Sequence, residues 1–182
     1  LEKLKKGEVG VMLGFSFTEP RSKYSYFVGS YYNEKIAVVG HKNLQGKLIT
    51  LEQLLEGKEL ISVTKGAYYG SLWEEVLKTE YSLQNRLVYL AENQQKFSML
   101  MLNRVSFSLE DEYVADELLN YNDYKDRFAK LFTLHENPVY FAFSKKVVSE
   151  KLYASLTQEW LKMKLSGEAD AIWENAKINN LQ

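Results

Sequence analysis

The middle of the chain alternates between short apolar runs and amphipathic stretches, and this alternation most constrains the fold. Between Glu59 and Leu109, β-branched runs typical of strands are separated by segments whose apolar residues recur at helical spacing. The first helical segment is predicted to run from Tyr68 to Lys78. Strands that alternate with helices indicate βαβ units around a mostly parallel sheet. The sequence therefore predicts an α/β fold.

Both ends of the chain carry further signals. Apolar runs from Val9 to Phe15 and from Lys35 to Gly40 predict two strands, and Pro138 to Phe143 predicts the last one. Ser149 is expected to cap a long amphipathic helix that ends near Gly167. The apolar stripe of this helix is expected to pack into the core, through Leu152, Leu156, Trp160 and Met163.

The composition excludes several classes of partner and site. Lys and Arg total 23 against 24 Asp and Glu, which leaves a formal net charge of -1. Proteins that bind nucleic acid carry a basic surplus, so no nucleic-acid partner is expected. No apolar run approaches the roughly 18 residues of a membrane-spanning helix, so no membrane insertion is expected. The chain contains no cysteine, which excludes disulfides and thiolate metal sites and fits either the cytoplasm or the periplasm.

A candidate anion site follows the first strand. Pro20 cannot donate to a sheet ladder, so the strand must end before it and Arg21 falls on a loop or a first helical turn. Open α/β sheets bind ligands at this end of their strands. A guanidinium can hold a carboxylate through two parallel hydrogen bonds, with the Ser16 and Thr18 hydroxyls as further donors. The alternative is that Arg21 forms only a surface ion pair, for instance with Glu19.

A second candidate lies in the turn between a predicted strand and the Tyr68 helix. The segment Gly66-Ala67-Tyr68-Tyr69-Gly70 places free N–H groups at a helix N-terminus, where they attract an anion. It lacks the lysine of a P-loop and the glycine pattern of a dinucleotide site. A tight turn with tyrosines packed beside it explains the segment equally well.

Asp111 is a third candidate, at the end of the predicted strand from Val105 to Leu109. One role is an N-terminal acid that complements the dipole of the following helix. The other is an acceptor for a ligand ammonium group, which would complement Arg21. The neighbouring Glu110 and Glu112 are expected to project in different directions.

The sequence gives no basis for a metal, a cofactor or a catalytic residue. His41 and His135 are the only histidines, and neither has a carboxylate or a second histidine at a ligand spacing. No Gly-x-Ser-x-Gly or other nucleophile motif occurs. We therefore expect a protein that is not an enzyme.

Taken in order, these segments resemble the type II periplasmic solute-binding proteins, and among them the polar amino-acid-binding branch that serves ABC transporters. Ser16-x-Thr18-x-x-Arg21 resembles the first-lobe motif in which the arginine grips the ligand α-carboxylate. The strand followed by Gly66 resembles the start of the second lobe, whose helix N-terminus donates N–H groups to that carboxylate. Asn103-Arg104-Val105 and Asp111 are similar to the Gly-Arg-Ile/Val-Asp segment and the later acid that takes the ammonium group. Tyr140 to Lys145 is similar to the strand that returns to the first lobe.

The chain departs from the family at several positions. Ala67 and Tyr68 replace the usual small hydroxyl residues, so only backbone donors are retained there, and Ser106 stands where the family usually has Asp. The opening strand-helix-strand, which normally forms one wall of the pocket, has no counterpart before Leu1. We therefore expect a chain that corresponds to the later three-quarters of such a protein.

The resemblance implies two α/β lobes, each with a mostly parallel sheet, joined by crossings near Val39–His41 and His135–Val139. Lobe one would comprise residues 1–40 and 136–182, and lobe two residues 41–135. An amino acid or similar small carboxylate would bind in the cleft, close the hinge and be presented to an ABC transporter permease in the periplasm. The ligand-binding residues would be Arg21, Ser16, Thr18, Tyr68 and Asp111.

Two other functions remain open at this point. The same module could act as the ligand-sensing domain of a signalling system. Some proteins of this fold are dehydratases of aromatic carboxylic acids, which need a general acid in the cleft. The only candidates for such an acid are His135, Glu110 and Glu112.

Overall fold

The computed structural model describes residues 1–48, 50–120 and 122–179, and the chain divides into two compact units. The first unit combines Leu1–Asn33 with the chain from Pro138 onward, and the second is Glu34–Asn137. The chain thus leaves the first unit once and returns to it once. Two long strands, described below, contribute residues to both units.

The described elements alternate in the way that the sequence predicts. The strands are β1 (Val11–Ser16), β2 (Ser25–His41), β3 (Ile61–Thr64), β4 (Leu87–Leu90), β5 (Phe107–Asp111) and β6 (Phe128–Ser144). The helices are α1 (Glu2–Lys6), α2 (Glu19–Ser22), α3 (Leu51–Glu56), α4 (Ser71–Thr79), α5 (Tyr81–Gln84), α6 (Asn93–Met101), α7 (Glu112–Leu119), α8 (Asn122–Lys125), α9 (Glu150–Ser166) and α10 (Glu168–Asn179). The α/β fold class is confirmed.

Parallel and antiparallel pairs divide between the two units. In the second unit the strand order is β2-β5-β3-β4, with β3 parallel to both β4 and β5 and β2 antiparallel to β5. In the first unit β1 pairs antiparallel with β6. The prediction of mostly parallel sheets thus describes β3, β4 and β5, which are joined by helical crossovers. In the first unit, by contrast, β6 runs in the direction opposite to β1, so the prediction of a mostly parallel sheet does not describe this pair.

Strand β2 is much longer than predicted. The sequence indicates a strand only from Lys35 to Gly40, whereas β2 begins at Ser25. Its first half is rich in tyrosine and phenylalanine, which favour the pleated surface of a sheet as β-branched residues do. Gly29 interrupts this half with a φ of 55°, a conformation that glycine adopts at little cost. Aromatic packing against β6 and α9 therefore extends the strand, as the contact of Tyr31 with Phe141 shows (ring centroids 4.5 Å apart).

The core of the second unit lies on both faces of its sheet. Val38 and Val39 follow each other in β2 and so point to opposite faces, and each belongs to a different buried cluster. The larger cluster includes Trp73 of α4 and Leu109 of β5, and the smaller includes Phe97 of α6. Helices packed on both faces leave the strand ends as the places where polar side chains can reach a ligand.

The first unit has a smaller buried cluster, formed by Leu4, Phe15 and Ala142. Helix α9 begins where predicted, because the Ser149 hydroxyl accepts a hydrogen bond from the Leu152 N–H, and Gly167 ends it with a φ of 79°. The apolar stripe, however, is less buried than predicted: no residue of α9 is fully buried, and Leu152 is exposed. The helix covers the sheet of this unit mainly with its aromatic side chains, such as Trp160 against Phe141.

Candidate functional site

The first unit builds a short helical turn around Arg21. Strand β1 ends at Ser16, and Thr18 adopts an extended backbone that caps α2, with Pro20 in the first turn. The Thr18 hydroxyl accepts a hydrogen bond from the Arg21 N–H at 3.4 Å. A proline at the first helical positions gives up no hydrogen bond there, because those N–H groups have no partner within a helix. The sequence thus fixes Arg21 locally, one turn beyond the strand.

The Arg21 guanidinium is held by two further contacts. Its Nη1 donates a hydrogen bond to the Ser16 carbonyl at 2.9 Å, and its Cζ lies 4.5 Å from the centre of the buried Phe15 ring. An aromatic face attracts a cation, and more strongly where water is excluded. The side chain is half-buried, and Ser16 itself is buried. The three predicted residues Ser16, Thr18 and Arg21 therefore do lie together.

In the second unit, the segment from Gly66 to Gly70 forms the turn between β3 and α4. The helix begins at Ser71 and not at Tyr68, which corrects the predicted helix boundary. The reason is that Gly70 has a φ of 102°, outside the helical range. The hydroxyl of the buried Tyr69 accepts a hydrogen bond from the Thr64 N–H at 2.7 Å, which ties the turn to the end of β3. Burial raises the pKa of Tyr69 to about 12, so this hydroxyl stays protonated.

Tyr68 packs against His135, a contact that the sequence did not predict. The rings of Tyr68 and His135 meet edge to face, with centroids 5.5 Å apart. A Cβ atom at Gly70 would lie 2.6 Å from the His135 Nδ1, so only glycine allows the imidazole this position. The His135 Nε2 is buried and has no hydrogen-bond partner among the described residues. Burial lowers the pKa of His135 below its usual value, which favours the neutral imidazole.

We expect His135 to make stability depend on pH. In the unfolded chain the His135 imidazole takes up a proton around pH 6.5, the ordinary pKa of histidine. In the folded chain it takes up the proton only at a lower pH. Between these two values the unfolded state holds more protons, so stability falls as the pH falls below about 6.5. His135→Phe should reduce the loss of unfolding free energy seen in urea titrations between about pH 7 and pH 5. Identical losses in the wild type and the variant would show that His135 is not the source.

Asp111 ends β5 and caps α7. Its Oδ1 accepts hydrogen bonds from the N–H groups of Tyr113 at 2.9 Å and Val114 at 3.3 Å. Asp111 thus stands at the N-terminus of α7, where the sequence offered an acid that complements the helix dipole as one alternative. An ionised carboxylate has about four acceptor positions, so capping and binding of an ammonium group are compatible. Because β3 and β5 are adjacent and parallel, the segments that carry Tyr68 and Asp111 follow the same edge of this sheet.

Two ion pairs near Asp111 were not predicted. The Lys96 Nζ lies 2.6 Å from the Glu110 Oε2 with both side chains buried, and the half-buried Lys130 lies 3.0 Å from Glu112. Burial lowers the pKa of Lys96 and raises the pKa of Glu110, while their mutual attraction opposes both changes. Two of the three acids considered for a dehydratase are thus engaged in ion pairs. The spacing of Lys96 and Leu100 on one face of α6 was the available signal for a buried lysine.

The described residues contain neither a cluster of metal ligands nor a helix that could span a membrane. Across residues 1–48, 50–120 and 122–179, no group of three or more His, Asp or Glu side chains is placed to hold a metal ion. Within the same part of the chain, no helix combines the length and the apolar character that crossing a bilayer requires.

No protein-family model matches the sequence, and no curated protein matches it significantly. Solved structures do match the fold. The amino acid ABC transporter substrate-binding protein AbpA from Streptococcus pneumoniae, bound to L-arginine, superposes with a TM-score of 0.76 at 24% identity, over 100% of this chain and 73% of that one. An ancestral arginine-binding protein bound to arginine gives 0.77 at 22% identity, over 96% and 74%. A histidine kinase sensor domain with similarity to periplasmic binding proteins gives 0.78 at 15% identity, over 96% and 72%. The chain therefore has the periplasmic-binding-protein fold.

Proposed function

We propose that this chain is an extracytoplasmic solute-binding protein that captures an amino acid or a similar small carboxylate and presents it to an ABC transporter. The observation that carries the proposal is the Arg21 guanidinium, held against Phe15 and the Ser16 carbonyl just beyond β1. A positive fork fixed in this way matches a carboxylate. The fold agrees, because an amino acid ABC transporter substrate-binding protein and an ancestral arginine-binding protein share it.

Each predicted site residue receives a role in this proposal. Arg21 would bind the ligand carboxylate, with the Ser16 and Thr18 hydroxyls as neighbouring donors. Tyr68 and the backbone of its turn would contact the ligand from the second unit, and Asp111 would accept hydrogen bonds from the ligand ammonium group. The two units would then be the two lobes, and a ligand held by both would favour a closed hinge.

The test is a ligand screen of the wild-type chain. Thermal denaturation with each of the common amino acids and with small carboxylates, followed by calorimetry of those that raise the melting temperature, should identify at least one ligand with a one-to-one stoichiometry. L-Arginine is the first compound to test, because two proteins of the same fold bind it. The ligand should be recovered unchanged after incubation. If no amino acid or small carboxylate raises the melting temperature, the proposal is wrong.

A sensing role is the second candidate, because a histidine kinase sensor domain has the same fold. Both functions require ligand binding, and they differ in the protein that reads the bound state. As a transport protein, the loaded chain should stimulate ATP hydrolysis by its ABC transporter in reconstituted vesicles. If the loaded chain instead changes the autophosphorylation of a kinase, the sensing role is correct.

A further inference from the structure

A buried ion pair between Lys96 and Glu110 lies directly before Asp111. Neither a gain in protein stability nor the packing of its surroundings explains why charged residues occupy these positions. Lys96 on α6 is 1% exposed and Glu110 on β5 is 5% exposed. Removing two charges from water costs several kcal/mol per ion, and apolar residues of similar size usually give equal or greater stability. The surrounding residues of α6, such as Phe97 and Leu100, are apolar and buried. An apolar pair would therefore fit this environment.

The contacts of the Lys96 ammonium group point to a positional role. Its Nζ lies 2.6 Å from the Glu110 Oε2 and donates a hydrogen bond to the Leu109 carbonyl at 2.9 Å. Both acceptors belong to the two residues that precede Asp111 in the chain. One side chain of α6 thus holds the last part of β5 through a backbone atom and a side-chain atom at once.

Strand pairing holds the end of β5 on one side only. Towards β2, Leu109 pairs with Val38, and the pairing continues to Asp111. Towards β3, the paired residues end with Ser62 and Ser108. A buried carbonyl requires a donor, and Lys96 supplies one to the Leu109 carbonyl beyond the last β3 pair.

We propose that Lys96 and Glu110 are positioning residues, whose ion pair fixes the end of β5 and so orients the Asp111 carboxylate for a ligand ammonium group. The part that concerns the ligand rests on the function proposed above. The part that concerns Asp111 does not, because its carboxylate can be followed through the two amides that it caps.

The first experiment measures hydrogen exchange in the double variant Lys96→Met, Glu110→Leu. We expect a free energy of unfolding close to that of the wild type, because an apolar pair replaces the ion pair. Exchange of the Tyr113 and Val114 amides should nevertheless become about tenfold faster, as expected when charge-assisted hydrogen bonds are weakened. The matched control, Glu112→Gln with Lys130→Gln, removes the ion pairs of Lys130 with Glu112 and Asp116 without changing a residue of β5, and should leave this exchange unchanged.

The second experiment compares L-arginine with δ-guanidinovaleric acid, which lacks the amino group. In the wild type, the ratio of the two affinities reports the contact with the ammonium group. This ratio should fall about tenfold in the double variant, the size expected for one charge-assisted hydrogen bond. A residue with a merely structural role would change the melting temperature and leave the ratio as it is.

The outcomes separate the two proposals. Unchanged exchange at Tyr113 and Val114 overturns the positioning role, even if the wild type binds L-arginine. If the wild type binds no amino acid, the proposed function fails, while the exchange result still decides whether the pair holds Asp111. If the double variant does not fold, Glu110→Gln takes its place. In this variant the Tyr113 and Val114 amides should exchange faster than in the wild type. Exchange equal to that of the wild type overturns the positioning role.

Discussion

Replacing Arg21 with alanine should abolish the binding of amino acids while leaving the chain folded. The guanidinium would be one partner of a charge pair shielded from water, and removing such a partner costs about 2–5 kcal/mol, or tens- to thousands-fold in affinity. The fold should survive because Arg21 is only half-buried and its guanidinium lies in a short surface turn, where Nη1 donates to the Ser16 carbonyl. Calorimetry with L-arginine measures the first effect, and thermal denaturation measures the second.

Two control variants make this result specific. Lys145 is also a cation of the first unit that bonds a backbone carbonyl, that of Ser22 at 2.7 Å, and lies over an aromatic ring, that of Tyr26. Lys145→Ala changes the net charge equally and should leave the affinity unchanged. Arg21→Lys keeps the charge but loses the planar fork, so its affinity for L-arginine should fall between those of Arg21→Ala and Lys145→Ala. Equal affinity in Arg21→Ala and the wild type would refute the carboxylate site.

Replacing Gly29 with alanine should strongly destabilise the first unit. Its φ of 55° is unfavourable for any residue with a Cβ atom, and a methyl group there would overlap the indole ring of Trp160. A left-handed conformation costs about 1–2 kcal/mol and overpacking about 1–3 kcal/mol, so the free energy of unfolding should fall by about 2–5 kcal/mol. Urea denaturation measures this loss directly.

Gly167→Ala is the matched control in the same unit. Gly167 also has a positive φ, 79°, but no atom lies within 4 Å of the position of its missing Cβ. Only the backbone cost remains, which is about 1–2 kcal/mol. The difference between the two variants therefore isolates the contact with Trp160. A double variant that also carries Trp160→Ala should show non-additive losses, and equal losses in Gly29→Ala and Gly167→Ala would contradict the contact.

The family resemblance predicted the fold and the grouping of site residues, whereas composition only excluded classes of partner and site. The order of the motifs predicted the fold, which solved structures at no more than 24% identity share. Within the first unit it also predicted that Ser16, Thr18 and Arg21 would lie together. All three fall in the short segment from Ser16 to Arg21, at and immediately after the end of a strand. The roles of these residues, and those of Tyr68 and Asp111, remain predictions that the experiments above address.

The features that depend on neighbours in the chain could be predicted from the sequence alone: the alternation of strands and helices, the caps at Ser149 and Gly167, and the end of β1 before Pro20. These features follow from the backbone chemistry of a few adjacent residues. The burial of Lys96 against Glu110 depends instead on how the elements pack in three dimensions. The two residues are 14 positions apart on different elements, and an isolated helix would leave the lysine in water.

The same distinction applies to His135, which lies 65 positions after Gly70 in the chain and yet packs against it. No local pattern marks such a residue, because its environment is created by β6 and the Gly66–Gly70 turn together. Local propensity acts through bonds and turns within a few residues, whereas burial and desolvation act through whatever the fold brings close. That is why the helix caps and the end of β1 could be predicted from the sequence, whereas the buried charges and the buried imidazole nitrogen could not.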